Sequence, residues 1–129
     1  MNPVLVQCAW VALGGALGAL ARFGVGHWVR SLTVSAFPWH TFLINITGSL
    51  ALGLLYSYTV QRAPSPVVSH FLMIGMLGAY TTFSTFELET WQLVERQMFA
   101  AALAYVAASV LVGFAGLCLG IWLGRAFSL

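Results

Sequence analysis

The chain has 129 residues, 60% of them hydrophobic and only 6% charged, with five Arg, no Lys, three Glu and no Asp. A soluble domain carries roughly 25% charge, and one this small cannot hide so much apolar surface. These figures argue against a soluble enzyme and against a disordered chain, and make lipid the expected solvent. The formal net charge of +2 comes from scattered Arg residues. No basic patch of the kind that binds nucleic acid is present in the sequence, and no nucleic-acid partner is expected.

A membrane helix needs about 20 residues. Four spans therefore use about 80 residues, and six would leave almost nothing for connections. The runs fall at about 3–28, 39–60, 67–94 and 98–124, within a single transmembrane domain over 1–129. Apolar runs carry no periodicity that proves helix. Their length decides for helix, as does the need for every backbone group to be satisfied within lipid. The fold class is an all-α membrane protein with four transmembrane helices.

The first run has no basic leader before it and is read as a span rather than a signal peptide. It carries Gly14, Gly15 and Gly18, and ends near Arg22 and His27. Small residues at this spacing let helices approach closely in lipid. No acid precedes Arg22 in the first run, so a proton-coupled carboxylate is absent there. A polar stretch over 30–37 follows, closed by Pro38.

The second run holds Thr41 and, at depth, Asn45. The Asn45 amide has two donors and two acceptors to satisfy, either as glue between helices or as a donor along a pathway. Pro64 and Pro66 mark the loop that follows, since proline cannot continue a helix.

The third run contains Gly75-Met-Leu-Gly-Ala-Tyr-Thr-Thr-Phe-Ser-Thr-Phe86. Gly75 and Gly78 weaken helix, while Thr81, Thr82, Ser84 and Thr85 add β-branching or competing hydroxyl bonds. Their concentration predicts a helix broken near its middle. Such a break survives in a membrane only where protein or water covers it. Freed carbonyls suit a cation, and freed N–H groups and hydroxyls suit an anion. The alternative is a continuous helix whose hydroxyls bond back to their own backbone. Glu89 lies three residues beyond Phe86; Glu87 has no evident role.

After Glu95-Arg96-Gln97 the fourth run carries Tyr105 and Ser109 one turn apart, then a stripe of Gly113, Gly116, Gly120 and Gly124. Ser109 is expected to bond back to its helix. Cys8 and Cys118 read as small buried hydrophobes. His27, His40 and His70 fall near span ends, where interfacial solvation is expected. Trp28, Trp39 and Trp91 suit one interface; Trp10, Tyr56, Tyr58 and Trp122 suit the other. No set of residues resembles an enzyme's catalytic centre.

Four spans place both termini on one side with Arg62 and Arg125. Arg30 and Arg96 lie on the other, with Arg22 if it snorkels there. Arginine distribution sets orientation, and here it is almost balanced. Insertion both ways, and hence an antiparallel dimer, is the expectation.

These residues resemble the Fluc family of fluoride channels, also called CrcB, over essentially the whole chain. The strongest match is Thr81-Thr-Phe-Ser-Thr-Phe86 after Gly75-x-x-Gly78 and before Glu89. Gly14-Gly-x-x-Gly18-x-x-x-Arg22 and Asn45-x-x-Gly48 support it. The resemblance implies an antiparallel, dual-topology homodimer in the inner (plasma) membrane, with two narrow fluoride pores along its interface. It implies that Phe83, Phe86 and Asn45 line the pore. Thr41, Thr82, Ser84, Thr85, Glu89, Tyr105 and Ser109 fit its polar track. Backbone carbonyls near Gly78 and Thr81 would hold a structural sodium ion (Na+). The family's track carries another small hydroxyl one turn after Ser109, where this chain has Gly113. Tyr80 is bulkier than the family pattern.

The function so implied is passive export of fluoride, lowering its cytoplasmic level. Two alternatives stay open at this point: a small multidrug-type exporter, which should need the missing first-span carboxylate, and a non-transporting membrane subunit.

Overall fold

The computed structural model describes residues 2–127, and every regular element among them is helical. Four stretches are long and apolar enough to cross a membrane: Pro3–Leu32, Trp39–Gln61, Val67–Glu95 and Phe99–Ala126.

Helix α1 spans Pro3–Leu32. Asn2 caps it by accepting from the Val4 N–H at 3.0 Å, and Pro3 occupies the first turn, where its missing N–H costs nothing. It continues past residue 28, into what the sequence suggested was a polar connection. Arg30 and Ser31 are tolerated there because Ser31 Oγ donates back to the Trp28 carbonyl at 2.6 Å and Val29 is buried. Helix α2 spans Trp39–Gln61, and Arg62 beyond it lies over the Tyr58 ring at 5.3 Å.

The third span is two helices. The first, α3, is wound as a π-helix over Val67–Leu77 and extended by one α turn, Gly78–Tyr80. The backbone becomes extended at Thr81, and α4 begins only at Ser84, running to Glu95. The break expected from the Gly/Thr/Ser segment is present. Long π-helical stretches are rare and favour functional regions.

A tight turn joins α4 to α5 (Phe99–Ala126). Gln97 adopts φ 59°, the left-handed region that glycine usually occupies at a helix end. That conformation lets the Met98 and Gln97 N–H groups reach the Leu93 and Val94 carbonyls at 2.9 and 2.8 Å.

Two close-packed pairs build the bundle. Against α3, a Cβ on Gly14 or Gly18 of α1 would overlap the backbone of Phe71 or Met76, and one on Gly75 would sit 2.7 Å from the Val11 carbonyl oxygen. Gly15 differs from its neighbour: nothing lies within 4 Å of the side chain it lacks. The α2–α5 pair uses the second glycine stripe. Gly120 meets the backbone of Leu50 and Leu54, and Gly124 meets Ser57. In lipid such contact supplies the packing that water would otherwise drive.

A small apolar cluster of Phe86, Leu93, Ala102 and Tyr105 fills the space between α4 and α5, with Phe37 edge-on to Tyr105 at 5.2 Å. Cys8 and Cys118 are free and exposed, not buried as expected. A thin bundle in lipid has little interior, and small apolar side chains need no cover there.

Candidate functional site

The break is held open by one side chain. Asn45 Nδ2 donates to the Thr82 carbonyl at 3.0 Å, and Asn45 Oδ1 accepts from the Thr82 N–H at 2.9 Å. A side-chain amide thus replaces the backbone partners that Thr82 lost when the helix opened, which satisfies the demand of a polar group at depth. Thr82 then starts α4: its Oγ1 accepts from the Thr85 N–H at 3.4 Å and donates to Thr85 Oγ1 at 3.0 Å. Both residues sit on the same polar surface.

The other lip carries free acceptors. Among the described residues, no backbone donor reaches the carbonyls of Gly78 or Thr81. The Thr81 hydroxyl does bond back, to the Leu77 carbonyl at 3.0 Å. Gly48 allows the close approach of α2, since a Cβ there would overlap the Thr81 methyl and lie 3.3 Å from the Tyr80 ring. Tyr80 also has a place: its hydroxyl is 2.9 Å from Thr47 Oγ1. Thr47 donates to its own helix at the Leu43 carbonyl, so Tyr80 is left to donate to Thr47.

Beyond the break, Glu89 gathers a second cluster. Its Oε1 accepts from Thr41 Oγ1 at 2.9 Å and pairs with His40 Nε2 at 2.9 Å; its Oε2 accepts from the Tyr105 hydroxyl at 2.8 Å. Three helices therefore converge on one carboxylate. His40, expected from the sequence to be solvated at an interface, is instead paired with Glu89, with its side chain 21% exposed. The pair joins residues 49 positions apart, and nothing in the local pattern around His40 reveals it.

The phenylalanines differ in setting. Phe86 is buried against Tyr105 at 5.1 Å, while Phe83 is 71% exposed, with its ring 5.8 Å from that of Phe86. Ser84 is exposed beside Phe83. Ser109 Oγ is buried without a hydrogen-bond partner, which corrects the expectation that it bonds back. The nearest atom to a Cβ on Gly113 would be Ser49 Oγ at 3.9 Å, so the hydroxyl missing from position 113 has a neighbour on α2.

Three cavities follow one another along this surface. One of about 170 Å³ lies at the end opposite the termini, between Arg30, His40, Glu89 and Arg96. The next, about 260 Å³, shares Arg30 and His40 with it and reaches Arg22, Thr41, Thr82 and Thr85. A third, about 290 Å³, shares Thr82 and is bounded by Asn45, Gly48, Gly78, Thr81 and Phe83. Of the residues expected to form a site, Arg22, Thr41, Asn45, Gly78, Thr81, Thr82, Phe83, Thr85 and Glu89 line this series. Phe86, Tyr105 and Ser109 lie behind it on α4 and α5. Gly18 supports it from α1, whereas Gly15 contributes only backbone, its nitrogen 3.1 Å from where a Gly75 Cβ would stand.

Oxygen donors, not carboxylate–imidazole clusters, are what this site offers a metal. Among the described residues no group of three His, Cys, Asp or Glu side chains could hold one. The open carbonyls of Gly78 and Thr81 suit a hard cation that prefers oxygen.

Comparison with known proteins agrees with this architecture. Residues 9–121 match the family model described as CrcB-like protein, Camphor Resistance (CrcB). A protein of Rhodospirillum centenum named "Fluoride-specific ion channel FluC" is 47% identical over 120 residues, covering 89% of this chain and 92% of the relative. Proteins of the same name from Hahella chejuensis and Magnetococcus marinus are 41% and 42% identical. The alignments cover 90% and 93% of this chain, and 92% and 98% of those relatives. A polar seam through a broken third span, in a chain matched over nearly its whole length, places this protein in the CrcB family.

Proposed function

We propose that this chain is a fluoride channel: two antiparallel copies form two pores along their interface, and fluoride leaves the cell through them passively. The observation that carries this reading is the broken third span, clamped by Asn45 at Thr82 and opening onto an exposed Phe83. The relatives named fluoride-specific channels support the choice of ion. The chain is a multi-pass integral membrane protein, in a bacterium one of the plasma membrane, and not an enzyme.

Fluoride is small and strongly hydrated, so a pore must replace its water with close donors. The hydroxyls of Thr85 and Ser109 and the second Asn45 N–H are such donors, while Thr41 and Tyr105 already give their one proton to Glu89 and would have to turn from it to meet the ion. Ser109 lies behind the cavities on α5, but its hydroxyl has no other partner and keeps its proton to give. Aromatic ring edges carry partial positive charge, which suits Phe83 and Phe86 to face an anion. None of these groups carries a full positive charge, which would hold the ion too tightly for fast exit.

The dimer accounts for what one copy leaves open. Phe83 and the cavity beside Asn45 and Thr81 would otherwise expose polar backbone to lipid, which is costly. Arg22 and Arg30 share one cavity. That sets three Arg on one side against Arg62 and Arg125 on the other, so neither orientation gains much from charge. A sodium ion at the interface would be held by Gly78 and Thr81 carbonyls of both copies and would supply fixed positive charge near the pores.

Purified protein in vesicles loaded with fluoride or chloride tests the reading. An electrode should register rapid fluoride release with chloride retained. Phe83→Ile and Asn45→Asp should slow that release while the dimer stays folded. Equal release from both variants would remove these residues from the pore. No release from a folded wild-type dimer would favour the exporter or subunit reading.

A further inference from the structure

Glu89 raises a problem for any anion path. Its side chain is only 12% exposed and lines the first cavity beside His40, which borders the second as well, and a bare carboxylate there would repel an approaching anion. Two of its contacts, from Thr41 and Tyr105, are neutral hydroxyls and leave its charge in place. The third, His40, is the one partner in direct contact that can neutralise it, because imidazole gains a full positive charge between about pH 5 and pH 8.

We propose that His40 sets the charge of the pore mouth, so that fluoride enters faster when His40 is protonated and its pair with Glu89 is neutral overall. The inference rests on the channel reading above. His40 Nε2 donates to Glu89 Oε1 in either protonation state, so the geometry persists and only the charge changes. The other charged and titratable groups around it are Arg22 and Arg30 from α1, Arg96 from the turn after α4, and Tyr105 from α5. Arg30 folds back along its own helix, its guanidinium 3.5 Å from where a Cβ on Gly26 would stand. The site is thus a fixed set of charges with one member that switches. His40 is a positioning and charge-setting residue for permeation, and it borders both the outer cavity and the one that leads to Thr82.

The test is fluoride release from vesicles at matched internal and external pH. Protein-free vesicles correct for hydrogen fluoride that crosses lipid unaided. Wild-type release should rise on the order of tenfold from about pH 8 to about pH 5.5, as expected for one charge neutralised at the mouth. His40→Gln, which can still donate to Glu89 but does not titrate, should be flat at the alkaline rate. His40→Arg should be flat at the acid rate. A wild-type rate that ignores pH, or a His40→Gln variant that keeps the wild-type step, overturns the proposal and leaves the channel intact. Absence of release from wild type at every pH removes the channel reading itself, and the proposal with it. Ring NMR titration of His40 checks the pair without flux: its midpoint should fall in Glu89→Gln, and an unchanged midpoint overturns the coupling.

Discussion

Helix α2 has two faces, and they are built on different physics. Toward α5 it presents Leu50, Gly53, Leu54 and Ser57 to a glycine stripe, and backbones touch with almost no polar chemistry. Toward α4 it presents Thr41 and Asn45, and every principal contact is a hydrogen bond. The first face brings two helices together by shape alone. The second holds apart a backbone that would otherwise close into helix. One helix can do both because, at about 3.6 residues per turn, Thr41 and Asn45 fall on nearly the opposite side of α2 from the Leu50–Ser57 stripe.

The glycine face should be the more fragile. Gly120→Val places a side chain into the Leu50 carbonyl, where only backbone movement can relieve it. Such overpacking should destabilise the fold by about 3 kcal/mol, read as loss of the folded species on size-exclusion chromatography and a large fall in Tm. An unchanged Tm would show that the two faces do not differ as described.

The polar face should give a smaller loss of stability. Asn45→Leu leaves the N–H and carbonyl of Thr82 without their partners, a cost of about 2 kcal/mol. Asn45→Asp keeps the acceptor for the N–H and should cost less. A thermal melt of the two variants side by side orders them. Equal melting temperatures would mean that the bond position 45 accepts from the Thr82 N–H carries nothing.

The smallest effect comes from a polar atom stranded on the glycine face. Ser57 is 1% exposed, and its hydroxyl has no partner among the described residues. Ser57→Ala should leave the fold unchanged or stabilise it by up to about 1 kcal/mol. A fall in Tm would show that the hydroxyl has a partner after all.

The four spans and the break were legible in the sequence because both rest on local chemistry. Length and hydropathy mark the spans, and a cluster of Gly, Thr and Ser marks the break at Thr81. The π winding of Val67–Leu77 was not legible: a continuous apolar run shows the same pattern whatever its pitch. The exposure of Cys8 and Cys118 was hidden for a related reason. When the solvent is itself apolar, hydrophobicity no longer separates inside from outside. Thr41, Asn45, Glu89 and Tyr105 could be picked out as polar residues at depth. That Glu89 binds His40 depends on how α2 and α4 are rotated about their axes, which no local pattern records. Tyr80, out of keeping with the family motif, finds its reason only in a partner 33 residues away.

The length of α1 has a consequence for voltage. Thirty residues make a helix of about 45 Å, against about 30 Å of hydrocarbon. Arg22 comes about 28 Å along it, where a charge is best accommodated at the edge of the lipid core. The last turns, with Gly26, Val29 and Arg30, then rise into the headgroups and wall the first two cavities from the side. Water entering those cavities would carry the potential of the bulk solution inward as far as Thr82 and Thr85. In a channel the membrane field would then fall mainly on the stretch beyond Thr82, and an ion would meet most of the voltage across only part of the bilayer.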